Sequence, residues 1–185
     1  MDEALCRRWM VTEVSVFLGE EKKGALLERA SAELREILTS DGPRDTWAPA
    51  GLLVESLVAA DLIAGRGDYT SCWNIGRFIA KREIGPVQAI ALKVLRASMI
   101  MSLAPGLFST HFKDAGRVAT RSTGDRALVV SFLGFPEPHR ALCVGLGGWM
   151  EGWLGLRERS SIRVDHVACR CQASPTCDYA VSWED

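Results

Sequence analysis

The residues best suited to chemistry are cysteines in the last third of the chain. Cys143, Cys169, Cys171 and Cys177 lie there, and His166 stands among them. Thiolate and imidazole are the donors that zinc takes, about four at a time and tetrahedrally. Cys143 sits in a glycine-rich stretch that reads as a helix. Cys169 and Cys177 sit on the two strands of a closing hairpin. Neighbouring elements usually pack together, so these sulfurs are expected to meet where helix and hairpin join. The fourth donor is open between His166 and Cys171. On a regular strand Cys169 and Cys171 point to one side and His166 to the other, so His166 requires a bulge or a strand end. Four plain buried thiols satisfy the same spacing, because free cysteine is among the most buried residue types. A Cys171–Cys177 crosslink across the short loop is a further reading. No tight C-x₂-C pair decides among them.

The elements that must position these residues are read from periodicity. Residues 8–18 alternate through Met10, Thr12, Val14 and Val16, which predicts a strand. Residues 24–38 carry one helical stripe of Leu26, Leu27, Ala30, Leu34, Ile37 and Leu38. A second helix is expected from about Trp47, with Pro49 in its first turn, running through the nearly all-apolar 51–63. Asp68 reads as the cap of a third helix ending near Glu83, and Pro86 opens a fourth that runs to about Met101. Ala104-Pro105-Gly106 reads as its stop. The period then changes. Residues 117–122 and 127–132 read as strands around Thr123-Gly124-Asp125, and 162–170 and 177–183 as two more. A fifth helix, about 138–155, lies between the two hairpins. The order predicts an α+β fold: a helix-rich N-terminal half packed on a C-terminal antiparallel sheet of about four strands with one inserted helix.

With 185 residues, 48% of them hydrophobic, the chain is expected to form a single domain spanning residues 1–185. Its 22 basic and 23 acidic side chains nearly cancel, so the totals give no basic face for nucleic acid. Residues 1–8 lack a basic start and apolar run, and the longest apolar stretch is short of the about 20 residues of a membrane span. The expectation is therefore a cytoplasmic protein with reduced thiols, no secretory signal and no membrane span.

The ending resembles the 4-vinyl-reductase (4VR) domain. The similarity rests on a helix carrying Cys143, Gly145, Gly148 and Gly152, then Val164-Asp165-His166-Val167-Ala168-Cys169, then Cys177-Asp178-Tyr179. It covers about residues 126–185. That family shares a superfamily with the TRAPP vesicle-tethering subunits and the haem nitric-oxide-binding domains, and it forms the sensor domain of phenol-detecting bacterial activators. The resemblance implies a structural zinc at Cys143, His166, Cys169 and Cys177, although the position of His166 is acidic in the phenol sensors. It also implies an apolar pocket for an aromatic or acyl ligand, and dimers. The haem branch uses an axial histidine and a Tyr-x-Ser-x-Arg clamp. Neither Tyr69 nor Tyr179 begins one, which predicts no haem.

No motif announces a reaction, so no catalytic residue is assigned and no enzyme is expected. Gly145-Leu146-Gly147-Gly148 lies inside a predicted helix, where small residues permit close packing, and it does not follow a strand as a nucleotide fingerprint would. His111 reads as a surface or locally satisfied histidine, with contact to a ligand hydroxyl the alternative. His139 reads as solvated, and Lys81, Arg82 and Glu83 as a solvated helix end. Trp73, Trp149 and Trp153 are expected in the core or a pocket wall, the last two on one helix face. The functional expectation is a non-catalytic sensor or regulatory domain, part of a signalling system, for a small apolar ligand. The alternative is an interaction or assembly module working as a homo- or heterodimer without ligand.

Overall fold

Residues 8–18 form a helix, where alternation predicts a strand. In the structure, a computed structural model that describes residues 3–85, 90, 95, 97–136, 138–155 and 161–184, Leu5–Arg7 is a short strand (β1) and Arg8–Leu18 is helix α1. Met10, Val11, Val14 and Leu18 are buried, whereas Val16 is 49% exposed. Burial on a helical stripe outweighs the β preference of the three valines.

The predicted helix over 24–38 is two helices, α2 (Glu20–Arg29) and α3 (Ala32–Thr39). Ser31 makes the break: its hydroxyl accepts from the Leu34 amide at 3.2 Å, and its own amide donates to Glu55 at 2.7 Å. Trp47–Pro49 is a strand (β2), and helix α4 (Ala50–Ala64) begins only after Pro49. Helix α5 is Thr70–Glu83. Asp68 accepts from the Thr70 amide, but the larger share of the capping falls to the fully buried Asp61, which accepts from the amides of Tyr69 and Ser71. The predicted helix from Pro86 to Met101 lies mostly outside the described residues, apart from its end within α6 (Ala97–Ser102). Ala104-Pro105-Gly106 opens helix α7 (Ala104–His111) where a stop is predicted, because proline is tolerated in a first turn.

Phe112–Lys113 (β3) joins β1 and β2 in a three-stranded sheet, order β2-β1-β3, which the sequence pattern did not announce. The larger sheet comprises β4 (Arg117–Gly124), β5 (Ala127–Leu133), β6 (Ser161–Ala168) and β7 (Cys177–Glu184). It is antiparallel, in the order β4-β5-β7-β6. Helix α8 (Arg140–Leu154) is inserted between the two hairpins, so the fold is α+β with helices first and the larger sheet last.

Helix α8 packs on α5 at backbone contact. A Cβ added at Gly76 would lie 2.0 Å from the Gly145 carbonyl oxygen, and one at Gly148 would lie 1.9 Å from that of Trp73. The glycines of α8 thus hold the helix in place, as expected of small residues inside a helix. Among the described residues no helix is long and apolar enough to cross a membrane.

Candidate metal centre

Cys143 projects from the first half of α8 and meets Cys177, the first residue of β7, with 3.4 Å between the sulfurs. Strand β6 shifts register between His166 and Ala168, so Val167 is the extra residue of a bulge. The bulge reverses the parity of the residues beyond it and brings Cys169 to the side of His166. The strand then ends, and Cys169 caps a 3₁₀ turn, Arg170–Gln172. The turn is pinned twice: the Gln172 amide donates to the Cys169 carbonyl at 2.9 Å, and Arg170 donates from its guanidinium to the Phe135 carbonyl.

Two overlapping triads result. The donor atoms of His166, Cys169 and Cys177 lie within 4.8 Å of one another, and so do those of Cys143, Cys169 and Cys171. Cys143, Cys169 and Cys177 are buried and Cys171 is exposed. All six cysteines are free thiols, so Cys171 and Cys177 are not crosslinked. The His166 ring stacks on Tyr179 at 4.6 Å, and its Nε2 is buried without a hydrogen-bond partner among the described residues. A buried nitrogen lacking a partner is costly, and a metal would relieve it.

The electrostatics also suit a cation. The Cys143 thiol donates to Cys177 and holds the Cys177 thiol well below its ordinary range, against the opposing effect of burial. His166, the Arg170 amide and Cys169 add to the lowering. The same bond, with burial, pushes Cys143 far up. Burial raises Cys169. One thiolate among thiols and an unpartnered imidazole is a soft donor set of the kind zinc takes. The residues present fit that ion.

Sequence reasoning missed a second polar cluster. Glu83 is no solvated helix end: its Oε2 accepts from the indoles of Trp149 at 3.0 Å and Trp153 at 3.3 Å, and its Oε1 pairs with His111 Nε2. His111 is buried between the Trp9 and Trp149 rings, and its Nδ1 has no hydrogen-bond partner among the described residues. Arg82 pairs with the buried Glu13, which Arg44 also approaches at 3.6 Å. The signal was available in part. Trp149 and Trp153 share a helix face, and two buried indole N–H groups require an acceptor. His139 is half-buried and caps α8, accepting from the Ala141 amide at 3.2 Å, where solvation was expected. Trp73 bonds to Glu151.

Two cavities bear on the apolar pocket that the resemblance implies. A gap of about 20 Å³ lies between α4, α5 and α8 beside Leu57, Ile79 and Trp149. A groove of about 720 Å³ runs past Glu3, Ala50, Val54, Phe135 and Pro138, at the start of α4 and the approach to α8.

No family model matches the chain, and no curated protein does. Solved structures do. An H-NOX protein from S. oneidensis in the Fe(II)NO ligation state superposes with a TM-score of 0.70 at 9% identity, covering 97% of this chain and 99% of that one. The Fe(II) unliganded H-NOX protein from K. algicida gives 0.65 at 10% identity, covering 97% of each chain. The IWP-051-bound H-NOX from Shewanella woodyi, in the Fe(II)CO state, gives 0.61 at 14% identity, covering 94% and 93%. This likeness corrects the expectation of no haem. The H-NOX proteins are the haem branch of the superfamily, and these three are recorded with Fe(II). The missing Tyr-x-Ser-x-Arg clamp is a short local pattern. At such low identity a fold persists while local patterns drift, so the absent clamp does not exclude the group. Over nearly its whole length this chain has the fold of the H-NOX proteins.

Proposed function

We propose that residues 1–185 form one non-catalytic sensor or regulatory domain, which binds a small ligand and carries zinc at Cys143, His166, Cys169 and Cys177 as a structural staple. The observation that carries this reading is the meeting of three buried thiols and an unpartnered imidazole nitrogen at the junction of α8 and the last hairpin. Bound zinc would supply cohesion between those elements and no reaction. The fold shared with H-NOX proteins, recorded with NO and CO, supports sensing. The groove near Val54 and Phe135 offers room for an aromatic or acyl molecule.

Metal analysis of the purified protein tests the staple. One zinc per chain is expected, lost in Cys169→Ser; a metal-free wild type would end this part of the reading. Native mass spectrometry with an absorption spectrum identifies any retained small molecule, haem included. The alternative is an assembly module working as a homo- or heterodimer without ligand. Met99 and Leu103, half exposed and one turn apart, favour it. A ligand-free protein that sediments as a dimer would select this alternative, and a ligand-loaded monomer would reject it.

A further inference from the structure

We propose that Cys171 is an oxidation site whose modification opens the staple: it takes oxidising equivalents from a low-molecular-weight disulfide and delivers them to Cys143. Cys171 alone of the five clustered donors is exposed, while its sulfur lies within 4.8 Å of the buried sulfurs of Cys143 and Cys169. A soluble oxidant therefore meets Cys171 first. Cys143 and Cys177 lie 3.4 Å apart, but each is only 4% exposed, so a reagent cannot reach that pair directly. Reactivity of a thiol depends on access as well as ionisation.

The steps balance. The Cys171 thiolate attacks glutathione disulfide, a Cys171–glutathione disulfide forms, and one glutathione thiolate leaves. Cys143 then passes its proton to the Cys177 thiolate that it already bonds, and its sulfur attacks the Cys171 sulfur; a Cys143–Cys171 disulfide forms, and the second glutathione thiolate leaves. Two electrons pass from the protein to the oxidant. The sulfurs must close from within 4.8 Å to about 2.05 Å. The amides of Gln172 and Ser174 bond back to the Cys169 carbonyl across Cys171, so the backbone of the turn stays in place, and the movement is rotation of the exposed Cys171 side chain together with that of Cys143. A Cys143 committed to a disulfide is no longer a thiolate donor. The resulting loss of zinc rests on the staple proposed above, whereas the disulfide does not.

The test treats the purified full chain with glutathione disulfide, tracks zinc with a metallochromic indicator and maps the disulfides by peptide mass spectrometry. The expected result is a Cys143–Cys171 crosslink, zinc released in step with it, and release at least tenfold slower in Cys171→Ser. Equal release from Cys171→Ser, or a bridge mapped to Cys143–Cys177 or Cys169–Cys171, would overturn the proposal. Should the wild type hold no zinc, the staple fails, and the crosslink map still decides whether Cys171 delivers oxidation to Cys143.

Discussion

The Tyr179 hydroxyl donates to the carbonyl oxygen of Cys143 across 2.6 Å, tying β7 to α8 inside the thiol cluster. Tyr179 is fully buried, and its ring supports His166 on one side and meets Phe132 edge-on at 5.5 Å. One side chain thus positions a thiol-bearing helix and an imidazole at once. Tyr179→Phe keeps the ring and removes the bond. The expected loss is about 1 kcal/mol, and a melting temperature lower by about 2–4 °C in thermal denaturation. An unchanged melting temperature would show that the hydroxyl adds nothing to the junction.

The bulge in β6 makes His166, on the same side as Cys169, the inward donor, and it leaves Cys171 on an exposed turn. His166→Ala is therefore expected to weaken zinc binding by about 10-fold or more in competition with a chelator, while Cys171→Ser binds like the wild type. The opposite ranking would make Cys171 the fourth ligand.

The larger sheet, the inserted helix and the meeting of Cys143 with the hairpin were legible, because period, turn residues and chain adjacency all agree there. Helix α1 was not, since its valines fit a strand locally and only tertiary burial separates Val14 from Val16. The place of His166 was legible only as a condition, because a bulge is a backbone irregularity that no side-chain pattern announces. Glu83 and His111 are 28 positions apart, so their pairing was invisible in one dimension.

Glu83 accepts from two indoles and pairs with His111, so removing its carboxylate strands three buried donors together. Glu83→Ala is expected to destabilise the protein by about 3 kcal/mol or more in urea unfolding. Glu83→Gln, which keeps an acceptor oxygen, should cost less. The same variants should shift the near-ultraviolet circular dichroism of Trp149 and Trp153. Similar costs for the two substitutions would indicate that acceptor capacity is not what matters.

The close approach of α5 and α8 separates two glycines. A Cβ at Gly148 would strike the Trp73 carbonyl oxygen, a backbone atom that no rotamer change can move. Gly148→Ala should force the helices apart and cost about 3 kcal/mol or more. Gly51, in the first turn of α4, has no atom within 4 Å of an added Cβ and is exposed. Gly51→Ala should be neutral or stabilise by up to about 1 kcal/mol. Equal effects in chemical denaturation would contradict the packing described for the seam.

Burial pushes the thiols of Cys6 and Cys72 up to about 12, with the Asp61 carboxylate adding to the rise at Cys72. The folded state thus holds protons that the unfolded chain releases from about pH 9, the ordinary value for a thiol. The stability this represents is complete below pH 9 and is lost as pH rises towards 12. Cys6, with no exposed surface, should account for a decline of about 1.4 kcal/mol between pH 8 and pH 10, measured by urea unfolding under reductant. Cys6→Ala removes that proton and should show a correspondingly shallower decline. A variant that loses stability with pH as steeply as the wild type would place the alkaline sensitivity elsewhere, with the raised thiols of Cys143 and Cys169 the next to test.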